Sequence, residues 1–133
     1  KQNFSSTDIA FSPSWISYAE LKYDMFQNTS LRLMNKIVSS QFLDNTGSDL
    51  KSIPLYSFTN LSISQKLPLQ KGKAIELDLL LNNIFNVNNI TRGYTYHSGN
   101  TANADGSITN GVDYNYYFPQ AGFNFLMGVK LKM

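Results

Sequence analysis

The chain has 133 residues, a net charge of +2 and no cysteine, so its length suits one domain with a core and its charge gives no reason to expect nucleic acid as a partner. The 8 tyrosines and 9 phenylalanines, together with abundant asparagine, favour β-structure with polar loops. No run of about 18 apolar residues occurs, which excludes a transmembrane helix.

The N-terminal segment 1–14 is polar and turn-rich, and Pro13 marks its end. It has no apolar signal-peptide core and no initiating Met, so we expect Lys1 to be an internal point of a longer chain or the start of a mature product. A first strand is predicted over 15–25 because its residues alternate between two faces. The apolar face carries Trp15, Ala19, Leu21, Tyr23 and Met25, and the charged face carries Glu20, Lys22 and Asp24.

A second strand is predicted over 31–42, after a tight turn at 26–30. Its alternation is less regular, because three apolar residues fall on the side of its charges. Leu31, Leu33 and Ile37 oppose Arg32 and Lys36, whereas Met34, Val38 and Phe42 lie on the charged side. A long connection over 43–54 follows, rich in turn residues and closed by Pro54.

A third strand is predicted over 55–67 and a fourth over 73–82, separated by a brief reversal at 68–72. The fourth has one face made of aliphatic residues and a second face that includes two carboxylates. The first face is Ile75, Leu77, Leu79 and Leu81, and the second is Ala74, Glu76, Asp78, Leu80 and Asn82. The segment 83–119, rich in Asn, Gly and Tyr, is predicted to be a long loop.

The last strand, predicted over 121–133, has the clearest period of two in the chain. Its odd positions are Phe123, Phe125, Met127, Val129, Leu131 and Met133, and its even positions include Asn124, Gly128, Lys130 and Lys132, with Leu126 alone out of step. A strand of this kind fits a sheet that covers a core. It also fits the wall of a membrane barrel, where roughly 9 to 11 tilted residues cross the bilayer.

Three patterns favour the membrane barrel. The predicted connections alternate between short and long, as the periplasmic turns and extracellular loops of outer-membrane barrels do. The charged faces suit a water-filled lumen, and aromatic residues concentrate near the strand ends, as interfacial girdles require. The alternative is a soluble β-sandwich, such as a carbohydrate-binding module, in which the apolar face packs on a second sheet.

Three segments also resemble the C-terminal end of a TonB-dependent outer-membrane receptor. They are Gln-Phe-Leu-Asp-Asn-Thr at 41–46, Leu-Leu-Leu-Asn-Asn-Ile-Phe-Asn at 79–86, and Tyr-Tyr-Phe-Pro-Gln-Ala-Gly-Phe-Asn-Phe at 116–125, followed by the alternating tail. The resemblance runs from about Trp15 onward. Its most specific parts are Asn-Asn-Ile-Phe-Asn and the Tyr-Phe-Pro-Gln-Ala-Gly lead into the last strand. The family's last strand typically ends in an aromatic residue, whereas this chain has Met133 there.

The resemblance implies an all-β, antiparallel transmembrane barrel of about 22 strands, of which residues 1–133 form the last five. It implies a non-enzymatic receptor in the bacterial outer membrane, with the C-terminus on the periplasmic side. Such a receptor imports a scarce ligand such as a ferric siderophore, haem or cobalamin, and holds no cofactor of its own. Glycan- or peptide-importing receptors of the same superfamily and a passive porin are the alternatives.

The expected partners are membrane lipid, an unidentified small-molecule ligand, the rest of the barrel with its plug, and TonB through the plug region, which lies outside this sequence. Five strands cannot close a barrel, so the first and last strands must pair with backbone outside residues 1–133. That backbone belongs either to the remainder of the receptor, as another chain or a missing portion, or to further copies in a symmetric oligomer.

The barrel interpretation assigns each strand residue to the lumen or to lipid. The predicted lumen-facing residues are Glu20, Lys22, Asp24, Glu76, Asp78, Lys130 and Lys132. The predicted lipid-facing residues are Leu21, Ile75, Leu77, Leu79, Leu81, Phe125, Val129 and Leu131. Glu76 and Asp78 share one strand face and could suit acid–base chemistry, but no nucleophile or base accompanies them, which favours lumen-lining charge.

The long connection over 83–119 holds the candidate ligand-contacting residues. Tyr94, Tyr96, Tyr114, Tyr116 and Tyr117 could stack on a sugar or a catecholate, or form an interfacial belt. His97 lacks an acidic or histidine neighbour in the sequence, which favours a solvated loop histidine over a metal or haem ligand. The segment 101–109 resembles part of a calcium loop, but Thr101 and Val112 replace its two strong carboxylates, which favours a plain turn.

Overall fold

Five antiparallel strands form the main sheet of the computed structural model, which describes residues 7–132. They are β1 (Ile16–Asp24), β2 (Thr29–Val38), β5 (Tyr56–Pro68), β6 (Ala74–Asn82) and β11 (Asn124–Lys132), and they are neighbours in that order. The prediction of an all-β, antiparallel fold is confirmed. The turns at 25–28 and 69–73 lie at one end of the sheet, here the short-turn end. The connections 39–55 and 83–123 lie at the other, here the long-loop end.

The long connections contain the remaining strands, arranged as three two-stranded ribbons. They are β3 (Gln41–Phe42) with β4 (Ser52–Ile53), β7 (Ile90–His97) with β10 (Asp113–Pro119), and β8 (Thr101–Ala102) with β9 (Ile108–Thr109). Two single 3₁₀ turns lie at Asp49–Lys51 and Gln70–Gly72. Among residues 7–132 there is no helix long and apolar enough to cross a membrane.

Three of the five predicted wall strands agree with the observed bounds to within one residue, because their alternation is regular. The second, predicted over 31–42, instead spans Thr29–Val38. It starts earlier because Thr29 pairs with Gln65 across the sheet. It ends earlier because the chain leaves the sheet after Ser39, and Gln41–Phe42 pairs instead with Ser52–Ile53 in a separate ribbon. The last strand begins at Asn124; Met133 and residues 1–6 lie outside the described part of the chain.

The prediction of one long loop over 83–119 is wrong for residues 90–97 and 113–119, which form the hairpin β7–β10. Tyrosines pair directly across this hairpin, Tyr94 with Tyr116 and Tyr96 with Tyr114. Cross-strand aromatic pairs stabilise a ribbon without any aliphatic alternation. The Asn- and Gly-rich composition of the segment concealed that signal in the sequence.

The register places most of the aliphatic residues of the five strands on one side of the main sheet, the apolar face. One complete row across it is Leu21, Leu33, Leu61, Leu81 and Phe125, and the next is Tyr23, Leu31, Ile63, Leu79 and Met127. The opposite side, the charged face, carries every charged residue of these strands. Leu80 and Leu126 also lie on the charged face, opposite each other.

The main sheet is a single layer, with no second sheet packed on its apolar face among residues 7–132. Leu21, Phe125 and Val129 accordingly remain 68%, 63% and 63% exposed. A β-sandwich would bury such side chains against a facing sheet. The small core lies instead at the long-loop end, where Val38, Leu43 and Ile53 are buried.

The aromatic residues near the strand ends do not all share one face. Tyr23 and Phe125 lie on the apolar face, where an interfacial girdle would require them. Tyr18, Tyr56 and Phe58 have the opposite parity and lie on the charged face. Only part of the set therefore lies on the face that the girdle prediction requires, because sequence position near a strand end does not specify the face.

Candidate functional site

Asn83 fixes the turn that follows β6. Its side-chain Oδ1 accepts the backbone N–H of Val87 at 3.0 Å, and its Nδ2 donates to the carbonyls of Val87 at 2.9 Å and Ala121 at 3.4 Å. The residue is 3% exposed and has a φ of 49°. Asn tolerates this left-handed conformation better than most residues. Asn83 thus ties the end of β6 to the segment that leads into β11.

Two further asparagines complete this arrangement. Asn86 accepts the backbone N–H of Phe123 at 2.9 Å, and Asn89 donates its side-chain N–H to the Ser57 carbonyl at 2.6 Å. A Cβ on Gly122 would lie 2.5 Å from Asn86 Oδ1, so a larger residue at that position would displace the Asn86 amide from its bond to Phe123. The motifs that suggested a family thus have a local physical role, which is to hold the root of the β7–β10 hairpin on the sheet.

One face of the β7–β10 hairpin is an exposed aromatic ladder, defined as Tyr94, Tyr96, Tyr114, Tyr116 and Phe118. The rings of Tyr94 and Tyr116 stack with centroids 4.9 Å apart and planes inclined by 17°. Tyr96 stacks on Tyr114 at 6.4 Å, and Phe118 lies 6.0 Å from Tyr94. Each of the five side chains is about half exposed. The structure therefore brings four of the five predicted tyrosines into one surface that a flat ligand could contact.

Tyr117 and His97 have the opposite parity and lie on the other face of the hairpin, which packs against the connection 39–55. A Cβ on Gly93, in that face, would lie 3.0 Å from Leu43 Cδ2 and 2.7 Å from the Tyr116 carbonyl oxygen, so glycine permits the close packing there. Asn115 Nδ2 donates to the Leu50 carbonyl at 2.7 Å. The predicted ligand-contacting set is thus divided between two faces.

Lys51 joins the two long connections through ion pairs. Its Nζ lies 3.1 Å from Asp44 Oδ2 and 3.1 Å from Asp113 Oδ2, and its side chain is 14% exposed. The other Asp113 oxygen lies 2.8 Å from His97 Nδ1. His97 therefore has an acidic partner, which the sequence analysis did not find because Asp113 lies 16 positions away and meets it only across the hairpin.

The three charged residues of this cluster have shifted pKa values. Burial alone would raise the pKa of Asp44, but hydrogen bonds from Thr46 and Lys51 outweigh it and hold that pKa below its usual value. The His97 and Lys51 contacts lower the pKa of Asp113. Asp113, and then Asp44, raise the pKa of Lys51 against the opposing effect of burial. All three groups are therefore charged at neutral pH.

The segment 101–109 forms the β8–β9 hairpin with a tight turn. Asp105 Oδ1 accepts both the backbone N–H and the hydroxyl of Ser107, and Asn103 donates to the hydroxyls of Ser107 and Thr109. The oxygens of a calcium loop are instead directed at a common centre. Among residues 7–132 there is no group of three or more His, Cys, Asp or Glu side chains that could hold a metal ion.

Ion pairs connect neighbouring strands on the charged face. Lys130 Nζ lies 3.0 Å from Asp78 and Lys132 Nζ lies 2.6 Å from Glu76, so both carboxylates of β6 are held by lysines of β11. Ser64 also donates to Asp78, at 2.7 Å. Both carboxylates of β6 thus take part in contacts between neighbouring strands.

The residues predicted to face the lumen and those predicted to face lipid lie on opposite faces of the main sheet. Every residue predicted to face the lumen lies on the charged face, and every residue predicted to face lipid lies on the apolar face. The environment of each face, lumen or lipid, stays a prediction.

A groove of about 460 Å³ lies on the charged face at the long-loop end. Its polar lining is mostly amide groups, supplied by Asn60, Asn82, Asn83, Asn124 and Gln120, beside Lys36, Tyr18 and Phe58. No local sequence pattern indicates this groove, because its residues come from five separate strands and the lead into β11. Only the register brings their side chains together.

Comparison of the chain with protein families, with curated proteins and with solved structures finds no match.

Proposed function

We propose that this chain is the C-terminal part of the barrel wall of a TonB-dependent outer-membrane receptor, which imports a scarce ligand such as a ferric siderophore, haem or cobalamin. In this proposal the apolar face meets lipid and the charged face meets the water-filled lumen. The short-turn end faces the periplasm and the long-loop end faces the outside of the cell. The chain has no catalytic role.

The observation that carries this proposal is the separation of charge across a single-layer sheet. The apolar rows continue across five neighbouring strands without a charged side chain, and no second sheet covers them among residues 7–132. Exposed apolar surface of this extent needs an apolar environment. Hydrocarbon on one side and water on the other provide the two environments that these faces need.

Two further observations support the receptor over other membrane barrels. Both long connections lie at one end and are structured, which suits a surface that binds a ligand rather than passive loops. The aromatic ladder on the hairpin offers stacking contacts to a planar or ring-containing ligand. We therefore assign the ligand-contacting role to Tyr94, Tyr96, Tyr114, Tyr116 and Phe118, without Tyr117 and His97.

Adjacent leucines on opposite faces of β6 provide a matched test. Leu79 lies in the second apolar row and Leu80 lies on the charged face, one residue away in the same strand. An arginine facing the middle of the bilayer costs about 2–4 kcal/mol in a membrane barrel, whereas a lumen-facing arginine is tolerated. Leu79→Arg should therefore reduce the folded, heat-resistant receptor in outer membranes by at least tenfold, and Leu80→Arg should leave it within twofold of wild type.

The same comparison applies to β11, with Met127→Arg on the apolar face and Leu126→Arg on the charged face. Both pairs should separate in the same direction, measured as the amount of folded protein in purified outer membranes. Equal loss for both members of each pair would contradict the proposal, since it would mean that the two faces have similar surroundings.

A further inference from the structure

The groove of about 460 Å³ on the charged face, here the amide groove, has no ligand assigned to it by the proposed function. Its volume lies within the range of small-molecule sites, which is roughly 300–1,000 Å³. None of the aromatic-ladder residues lines it, so it is a separate surface at the long-loop end. The class of ligand that it suits follows from the hydrogen-bonding groups, rings and charge of its lining.

Two amides of the groove each have one end held by the protein and the other end without a protein partner. Asn60 Oδ1 accepts the backbone N–H of Asn83 at 2.9 Å, and Asn82 Nδ2 donates to Asn124 Oδ1 at 3.0 Å. Asn60 Nδ2 and Asn82 Oδ1 bond no other group among residues 7–132. Because β5 and β6 are neighbours about 4.8 Å apart, an oriented donor lies beside an oriented acceptor. Neighbouring hydroxyl groups, which both donate and accept, match this pair.

Aromatic side chains form the wall of the groove beside these amides. Phe58 and Tyr18 belong to β5 and β1, and Phe58 makes an edge contact with Tyr56 at 5.5 Å between ring centroids. The Tyr18 hydroxyl donates to Glu20 at 2.7 Å, which holds that ring in place. Rings next to oriented amides suit a ligand with an apolar face and a hydroxylated edge, as a pyranose has.

Lys36 gives the groove a positive charge. It lies between Tyr18 and Phe58 in its row across the sheet. No carboxylate lines the groove among residues 7–132, and Glu20, the acidic residue of β1 nearest this row, is already held by Arg32 at 3.2 Å. A lysine without an acidic partner favours a ligand that carries its own anionic group.

We propose that the amide groove binds a uronic acid, which is a pyranose that carries a carboxylate. The carboxylate pairs with Lys36, neighbouring hydroxyls bond Asn60 and Asn82, and the C–H face of the ring lies on Phe58. This site goes beyond the proposed function, because it gives the wall a second ligand class at a second place. It needs from that function only that the charged face meets water.

Calorimetric titration of the full-length protein, purified in detergent from the cell that makes it, tests the inference. The probes are a disaccharide of galacturonate and a disaccharide of glucuronate. Their methyl esters keep the hydroxyls but remove the charge, and succinate keeps two carboxylates without hydroxyls. At least one disaccharide should bind at least tenfold more tightly than its own methyl ester and than succinate.

Two variants assign the binding to the groove. Lys36→Met should abolish the preference for the acid over its methyl ester. Asn60→Asp keeps an acceptor for the Asn83 N–H but replaces the free donor with an acceptor, so it should weaken binding of the acid at least tenfold. The control, Lys66→Met, removes the same charge from the same face of β5 near the short-turn end and should leave binding within twofold of wild type.

The inference would be overturned if neither disaccharide bound more tightly than succinate, or if Lys36→Met and Lys66→Met had equal effects. Unchanged binding by Asn60→Asp, shown to be folded by its resistance to heat, would also overturn it. Should Asn60→Asp not fold, the exposed Lys36 still decides the outcome. The leucine comparison measures how much folded protein the outer membrane holds, whereas this titration measures binding by protein that has folded. Failure of one is therefore distinguishable from failure of the other.

Discussion

At the scale of single residues, asparagine contributes most to the long-loop end. Asn83, Asn86 and Asn89 each replace a missing backbone partner with a side-chain amide, because the chain reverses there without a regular turn. An amide side chain can donate and accept simultaneously, so Asn83 alone bonds both Val87 and Ala121. The asparagines therefore fix the position of the hairpin relative to the main sheet.

Two substitutions of Asn83 should separate the contribution of its side-chain hydrogen bonds from that of its backbone conformation. Asn83→Ala removes three hydrogen bonds and places alanine, which tolerates a left-handed backbone less well than asparagine, at a φ of 49°. Asn83→Gly removes the same bonds without this backbone penalty. We expect the alanine variant to lose about 2–3 kcal/mol of unfolding free energy and the glycine variant to lose about 1 kcal/mol less. Denaturant unfolding in detergent micelles measures both.

The control for these variants is Asn103→Ala, at an exposed turn whose hydrogen bonds are local. It should change the unfolding free energy by less than about 0.5 kcal/mol. If Asn83→Ala were as mild as Asn103→Ala, the amide bonds would not hold the hairpin root.

At the scale of elements, the strands of the main sheet were predictable and the hairpin was not. Strands β1, β5, β6 and β11 carry mostly apolar residues on one face and polar or charged residues on the other, so their sequences alternate and reveal both type and face. The β7–β10 hairpin has one face in water and one face on a polar connection, so apolar alternation is absent. The resulting Lys51 cluster joins residues up to 69 positions apart, and no local pattern indicates it.

Lys51 should control the attachment of the hairpin to the connection 39–55. Lys51→Met keeps the length of the side chain but leaves Asp44 and Asp113 without their shared cation. We expect backbone amides of β7 and β10 to exchange hydrogen roughly fivefold faster, equivalent to about 1 kcal/mol. The control, Lys73→Met, removes the same charge at the short-turn end. Equal exchange in both variants would mean that the cluster does not hold the hairpin.

The charged groups of the same cluster predict how the attachment of the β7–β10 hairpin to the connection 39–55 depends on pH. The pKa values of Asp44 and Asp113 are lowered by folding, so their contribution is complete above the unfolded value of about 3.9 and is lost as pH falls through the folded values. The pKa of Lys51 is raised, so its contribution is complete below about 10.4 and is lost only at higher pH. Hydrogen exchange of the hairpin, corrected for intrinsic rates, should therefore accelerate in acid, as Asp44 and Asp113 become protonated.

At the scale of the whole molecule, the packing is uneven. The buried residues cluster at the long-loop end, while both faces of the five-stranded sheet remain largely uncovered. A water-soluble domain of this length buries most of its apolar side chains in one core. The apolar side chains of this sheet can be buried only against a surface or medium outside residues 7–132. In our proposal that medium is hydrocarbon.

This difference predicts how the isolated 133-residue polypeptide behaves after dilution from urea. In buffer it should aggregate through its apolar face and its two bare edges rather than remain a β-rich monomer. Circular dichroism and sedimentation velocity distinguish these states. Threonine at four apolar-face positions keeps β-propensity while removing aliphatic surface, so that variant should aggregate more slowly in buffer than the wild-type chain. The four substitutions are Leu77→Thr, Leu79→Thr, Met127→Thr and Val129→Thr.

The matched control for that variant changes the charged face instead, through Leu80→Thr and Leu126→Thr. These two leucines meet water in the proposed arrangement, so their replacement should leave aggregation in buffer at the wild-type level. A wild-type chain that sediments in buffer as a β-rich monomer would contradict the assignment, because 63% exposure of Phe125 and Val129 would then be tolerated by water alone. The control removes aliphatic surface from the same two strands, β6 and β11. A difference in aggregation between the variant and the control therefore reports on the apolar face itself.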